Sequence, residues 1–297
     1  MSPQRTPTGA ISRRGLLGAG LVSLGMAAGC GQSRLRPHDS AEAPLPVTVP
    51  GLITDTPFYV AHRGGGGDWP EMTAYAYAQA ALVPGLKALE VSACLSSDGV
   101  LVCSHDPSTE RVTNTKATIS KETWATLSKL KVTAAETRDP HQARQPMARF
   151  EDIVRTYLDD FVLFVEPKVA EAVQPMMDLM VRLGQPQRVV WKQPINSTTF
   201  AVARQHGFAT WGYVLDEPAH LGYHLTNHAA SPDLDMLGAS QDQSDSFIRA
   251  VVAAASANGK PTIGWPARRT SDRDRLLGLG CRGLMTSNPV EVVPPPH

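Results

Sequence analysis

The chain has 297 residues, 28 Lys+Arg against 28 Asp+Glu, 42% hydrophobic residues and four cysteines. Neutral charge excludes a nucleic-acid binder that works through a basic face, and the apolar share excludes a largely disordered chain. Four cysteines without a C-x-x-C pair are too few for a disulfide scaffold or a zinc ribbon. The length suits two domains of about 150 residues or one α/β barrel of about 250.

The first element in chain order is an address. Residues 1–29 hold Arg5, Arg13 and Arg14, no acid, and the apolar Gly-rich run Gly15 to Gly29, which is too short for a permanent span and reads as a signal peptide. Ser12-Arg13-Arg14-Gly15-Leu16-Leu17 resembles a twin-arginine export signal. Ala27-Ala28-Gly29-Cys30 resembles a bacterial lipobox, in which cleavage leaves Cys30 as the lipid-modified first residue. The rival is a cleaved secretory peptide with an incidental cysteine, and both place the protein outside the cytoplasm. Residues 30–56 are polar and Pro-rich without a sustained period, which predicts a lipidated Cys followed by a flexible tether to a membrane. Losing three Arg and no acid takes the balance of 28 against 28 to −3, so substrate phosphate must be held by local residues.

From 57 to 297, short β-branched or aromatic runs alternate with helical stretches, the signature of a parallel sheet of βα units. Strands are predicted at 58–61, 88–95 with 100–104 as a hairpin partner, 161–165, 189–192, 210–214, 236–238, 262–264 and 283–285. Helices are predicted at 73–81, 150–158, 170–183, 197–205, 246–257 and 272–279. Eight βα positions in one domain predict an α/β fold of the (β/α)8 TIM-barrel type, in which polar residues at strand C-termini form the active site. In this chain those residues are His62-Arg63, His105-Asp106, Glu166-Pro167-Lys168, Lys192-Gln193, Trp265 and Ser287-Asn288.

The ordered motifs His62-Arg63-Gly64, Pro70-Glu71-Met72-Thr73, Glu90-Val91-Ser92, Asp98-Gly99, His105-Asp106, Glu166-Pro167-Lys168 and Thr286-Ser287-Asn288-Pro289 span roughly 58–290. In that order and spacing the sequence resembles the glycerophosphodiester phosphodiesterase family. The resemblance implies that His62 and His105 are the acid/base pair of a phosphodiester hydrolase. A neighbouring glycerol hydroxyl would attack, through a cyclic phosphate, to release glycerol 3-phosphate and an alcohol. It also implies that Arg63 and Lys168 grip the phosphate, and that Glu90 and Glu166 hold Ca²⁺ or Mg²⁺ as hard oxygen ligands. Glu71 and Trp265 are candidates for contacting the substrate. For Glu71 a helix N-terminal charge is the competing role, and for Trp265 it is barrel packing. Asp106 either orients His105 or caps the turn that follows.

Three positions depart from the family pattern. Met72 stands where the family has Asn, Ser92 where it has an Asp metal ligand, and Ser287 where it has Asp. Ser92 removes one negative ligand and should weaken a divalent site, with Glu71 and Asp68 the carboxylates available to compensate. The alternatives are therefore a catalytically impaired lipoprotein that binds a phosphorylated ligand, and a phospholipase C- or D-like enzyme on the same barrel. Treating Asp98-Gly99 as a two-residue turn makes Ser92 face His105 and Cys94 face Cys103, on one sheet face with Glu90. This register leaves Cys94 and Cys103 either a cross-strand disulfide or two small buried hydrophobes.

Overall fold

A computed structural model describes residues 47–215 and 218–295; the export signal and Cys30 lie outside the described residues. Eight strands run parallel: β1 (Phe58–Ala61), β2 (Ala88–Leu95), β4 (Val162–Pro167), β5 (Val189–Pro194), β6 (Ala209–Val214), β7 (Met236–Ser240), β8 (Thr262–Ala267) and β9 (Gly283–Thr286). The sheet closes because β1 pairs with both β9 (Phe58 opposite Gly283) and β2 (Val60 opposite Ala88). The predicted (β/α)8 barrel is therefore the fold. The strand β3 (Leu101–Cys103) is antiparallel to the outer end of β2 and lies outside the closed ring.

Strand alternation sorts side chains into two layers. One parity, with Phe58, Val60, Ala88, Val162, Phe164, Val190, Trp211, Met236, Ile263 and Met285, packs into a single cluster inside the barrel. The other parity, with Tyr59, Leu89, Val91, Leu163, Val165, Val189 and Trp191, packs outward with the helices. The helices supply the matching stripe: Phe150–Tyr157 buries Phe150, Ile153 and Val154, and Asp245–Ala257 buries Phe247, Ile248, Val251 and Ala255. The second of these starts at Ser244, whose hydroxyl accepts from Phe247 N at 3.2 Å.

Three expectations need correction. The described end of the expected tether is not linker: Val49–Thr54 is a short helix capped by Thr48, and its Val49 and Leu52 are buried in the inner cluster. Two apolar residues in a Pro-rich stretch carry no period, so only the barrel floor reveals their purpose. The helix Pro218–His228 has no predicted counterpart, since it offers only Leu221 and Leu225 to the core among His, Gly and polar residues.

The hairpin is the third. Ala93 pairs with Cys103 and Cys94 with Val102, one residue off the expected register. Ser96 N donates to Val100 O at 2.9 Å, so the turn has three residues, Ser97-Asp98-Gly99, with Gly99 in the left-handed region at φ 80°. Ser96 Oγ at 2.6 Å and Trp124 N at 2.9 Å both donate to Asp98 Oδ1 and hold that turn. A slip of one residue reverses faces. Cys94 therefore packs with Val102, Ile119 and Leu127, while Cys103 joins the outer core. Both are free thiols, so the disulfide alternative is not realised.

Candidate active site

The chain leaves β1 through a sharp turn. Arg63 adopts φ 55°, a strained conformation for a residue with a Cβ, and this aims its backbone N–H at Glu90 Oε2, 2.6 Å away. Gly67 is required nearby, because a Cβ there would lie 2.5 Å from the Asn288 side chain. Met72, the departure from Asn, also has φ 58° and is buried, with its sulfur 3.1 Å from Tyr77 Oη. Asn tolerates the left-handed region better than Met, so the family residue has a backbone reason.

Glu166 on β4, Lys192 on β5 and Tyr213 on β6 are buried toward the C-terminal ends of their strands, and Glu90 and Ser92 are buried in the first half and the middle of the longer β2, with Ser92 opposite Glu166. Lys192 Nζ is 2.8 Å from Glu90 Oε1 and 2.7 Å from Glu166 Oε2. Ser92 Oγ bridges the same two oxygens, at 2.7 and 3.1 Å. Glu90 Oε2 accepts from Arg63 N, and Glu166 Oε1 accepts from Tyr213 Oη at 2.6 Å and Lys168 Nζ at 2.9 Å. Burial alone would raise both carboxyls. The Lys192 ammonium overrides it, helped by Ser92 and Arg63 N at Glu90 and by Lys168 at Glu166, so that each titrates at about 2. The same carboxylates raise Lys192 against its burial.

The two glutamates expected to hold Ca²⁺ or Mg²⁺ thus do meet. A divalent ion needs free carboxylate oxygens. All four in this cluster are bound by protein N–H or O–H groups, and an ammonium stands between the pair. The carboxylates named to compensate for Ser92 are engaged elsewhere. Glu71 holds Arg63 and Arg111, and Asp68 accepts from Asn288 Nδ2 and Val290 N, each at 3.0 Å. Among the described residues no group of three His, Cys, Asp or Glu side chains is placed to hold a metal ion. This donor set does not fit a divalent ion.

The histidines sit on either side of the cluster. His62 is buried, with Nδ1 2.9 Å from Ser287 Oγ, so the hydroxyl that replaces the family's Asp still contacts the imidazole. His105 is half-buried; its Nδ1 is 2.8 Å from Asp106 Oδ1 and its Nε2 is 3.3 Å from Lys168 Nζ. Burial, then Arg63, Lys192 and the other histidine, push His62 well below its usual range. Burial, Arg63 and Lys168 push His105 down too, but Asp106 opposes them. Asp106 therefore has the orienting place of its two expected roles, and it also accepts from Arg111 Nε at 2.6 Å.

Glu71 does not act as a helix N-terminal charge. Its Oε1 accepts from Arg111 Nη2 at 2.6 Å and its Oε2 from Arg63 Nη1 at 3.1 Å. It braces the arginine expected to hold phosphate. Sequence reasoning missed Tyr213 and the pairing role of Lys192; two-residue parity within β5 and β6 was the available signal. Trp265 lies in the inner cluster, its ring centroid 5.5 Å from those of Trp211 and Tyr213. A cavity of about 400 Å³ opens at the mouth beside His62, Arg63, Arg138, Arg268, Ser287 and Asn288.

The model of the Glycerophosphoryl diester phosphodiesterase family matches residues 62–291. A glycerophosphodiester phosphodiesterase of Arabidopsis thaliana is 30% identical over 131 residues, covering 36% of this chain and 35% of that protein. The matched stretches span about a third or less of the length of the curated relatives. Among solved structures, an Oleispira antarctica phosphodiesterase in complex with the product sn-glycerol-3-phosphate superposes with a TM-score of 0.64 at 21% identity, covering 81% of this chain and 97% of that one. A glycerophosphodiester phosphodiesterase from Agrobacterium tumefaciens gives 0.62 at 16% identity, covering 78% and 96%. Both are likenesses of fold.

Proposed function

The chain belongs to the glycerophosphoryl diester phosphodiesterase family, and on that premise we propose that it hydrolyses a glycerophosphodiester to glycerol 3-phosphate and an alcohol. The observation that carries this reading is that His62 and Arg63 line the cavity at the mouth, while His105 and Lys168, 3.3 Å apart, are tied to Arg63 through Glu166, Lys192 and Glu90. Two imidazole bases and two cations are what phosphodiester cleavage needs for proton transfer and for charge developing on the phosphoryl oxygens.

The partners of each imidazole divide the roles. His105 has the carboxylate of Asp106 on its Nδ1 and His62 only the hydroxyl of Ser287, so His105 takes the part of the general acid and His62 that of the general base. His62 takes the proton from a glycerol hydroxyl as its oxygen attacks phosphorus. The bond from phosphorus to the alcohol oxygen breaks, and His105 delivers the proton to that oxygen. In the second step the roles reverse: His105 deprotonates water, whose oxygen opens the cyclic phosphate, and His62 returns its proton to the glycerol oxygen. Arg63, braced by Glu71, and Lys168 hold the phosphoryl oxygens throughout.

The test is release of glycerol 3-phosphate from glycerophosphocholine and related diesters. His62→Ala and His105→Ala should each lower turnover by about 10²- to 10⁴-fold; parental turnover in both overturns the mechanism. A phosphoinositide or sphingomyelin cleaved in preference would favour the phospholipase alternative. Residues 1–29 serve export, and Cys30 carries the lipid that holds the domain at the extracytoplasmic face of the cell membrane. Cys30→Ser should move the protein from the membrane fraction to the soluble fraction, and unchanged fractionation contradicts the anchor.

A further inference from the structure

We propose that Lys192 is a built-in cation that takes the place of a divalent ion between Glu90 and Glu166, so that the site works without metal. The role of the site rests on the hydrolase reading, but the replacement rests on geometry alone. Glu90 Oε1 and Glu166 Oε2 are the oxygens that face each other, and both are bridged twice, by Lys192 Nζ and by Ser92 Oγ. The ammonium is enclosed on its other sides as well, 5.6 Å from the ring centroids of Trp211 and Tyr213. Lys192 is only 4% exposed. An entering ion would have to drive its charge out of this box and strip Ser92 from both carboxylates, leaving a buried ammonium without partners.

Ser92 and Lys192 belong together by charge. Two carboxylates with one ammonium sum to −1, and three carboxylates around a divalent ion sum to the same value. With Asp at position 92, three acidic groups would meet with no donor among them and would need the second positive charge. With Ser, the hydroxyl donates where the third carboxylate would have repelled, and one ammonium suffices. The substitution that weakens a metal site is the one that lets Lys192 fill it. Phosphate is then held by Arg63 and Lys168 over a cluster whose charge does not depend on ion supply.

The experiment is calorimetric titration of the full chain with Ca²⁺ and with Mg²⁺, thermal unfolding with and without each ion, and turnover in EDTA. The expected result is no saturable binding at the pair, an unshifted unfolding midpoint and turnover unchanged by EDTA. Saturable binding to the parent protein that disappears in Glu166→Gln overturns the proposal, as does turnover abolished by EDTA and restored by the ion. Binding that persists in Glu166→Gln lies elsewhere and leaves the pair metal-free, as proposed. Ser92→Asp combined with Lys192→Met should create saturable Ca²⁺ binding, with a Kd on the order of 10⁻⁴ M, and a midpoint that rises with Ca²⁺. A folded double variant with no gain in Ca²⁺ affinity overturns the charge exchange. If it does not fold, the titration of the parent still decides. Absence of both turnover and metal binding would defeat the hydrolase reading while supporting Lys192 as the resident cation of the glutamate pair.

Discussion

The floor and the mouth of the barrel use the same strand parity for opposite ends. On the inner face, β4 runs Val162, Phe164, then Glu166; β5 runs Val190, then Lys192; β6 runs Trp211, then Tyr213; β2 runs Ala88, then Glu90 and Ser92. The first members of each series are closed off below by Val49 and Leu52 of the N-terminal helix. The later members are charged or polar side chains at nearly complete burial. Apolar burial stabilises the floor without any partner geometry, whereas burial at the mouth is tolerated only because every charge is paired. Stability and chemistry are therefore separated by about two residues along each strand.

A crossed pair of substitutions tests that separation most strongly. Phe164→Ala in the floor should cost about 3–5 kcal/mol of unfolding free energy, read by urea denaturation, while the folded fraction retains the parental pH profile and turnover. His62→Ala should lose turnover by about 10²- to 10⁴-fold and change stability by far less. If Phe164→Ala removes turnover from protein that is still folded, the two ends are coupled.

Leu52→Ala comes next, at about 2–5 kcal/mol, because that residue plugs the floor; a segment acting only as tether would show no change. The mouth has its own signature in acid. The Glu90 and Glu166 carboxyls are held at about 2 in the folded protein, against roughly 4.3 in an unfolded chain. Their stabilisation is full above the unfolded value and is lost as pH falls through the folded one. Unfolding free energy should therefore drop between about pH 4.3 and 2, and Glu166→Gln should flatten that drop.

The smallest expected effect is kinetic. With both histidines lowered, the bell-shaped profile should peak below the ordinary imidazole value of about 6.5. Ser287→Asp would set a carboxylate against His62 Nδ1 in place of the hydroxyl 2.9 Å away. This should raise the pKa of the acid limb by about one unit, with the alkaline limb, governed by His105 and Asp106, unmoved. A profile that keeps its acid limb in Ser287→Asp contradicts the assignment of His62 as the first base.

Much of this architecture was legible in residue order. Apolar runs of four to eight residues with polar ends mark barrel strands, and β1, β2 and the helix Ala170–Leu183 fall at the predicted boundaries. Some strands outrun their apolar cores: β8 continues through Trp265 and Pro266 to Ala267 because its neighbours supply hydrogen-bonding partners beyond the apolar run. Both histidines, Arg63, Glu90, Glu166 and Lys168 could be named from motifs, since local types and spacing are properties of the chain itself.

Relations between distant segments could not be read that way. The three-residue turn at Asp98 is held in part by Trp124 N, 26 positions away, and the register that goes with it puts Cys94 and Cys103 on opposite faces. Val49 and Leu52 become core only where the barrel has a floor to close. Lys192 is a strand-end lysine until closure of the sheet sets it between Glu90 and Glu166, 102 residues from the first of them. The sequence by itself determined the barrel and the inventory of reactive groups, because both follow from local period and residue type. Only the tertiary structure decided which charge answers which, because pairing energies depend on distance and burial and neither is a property of the linear chain.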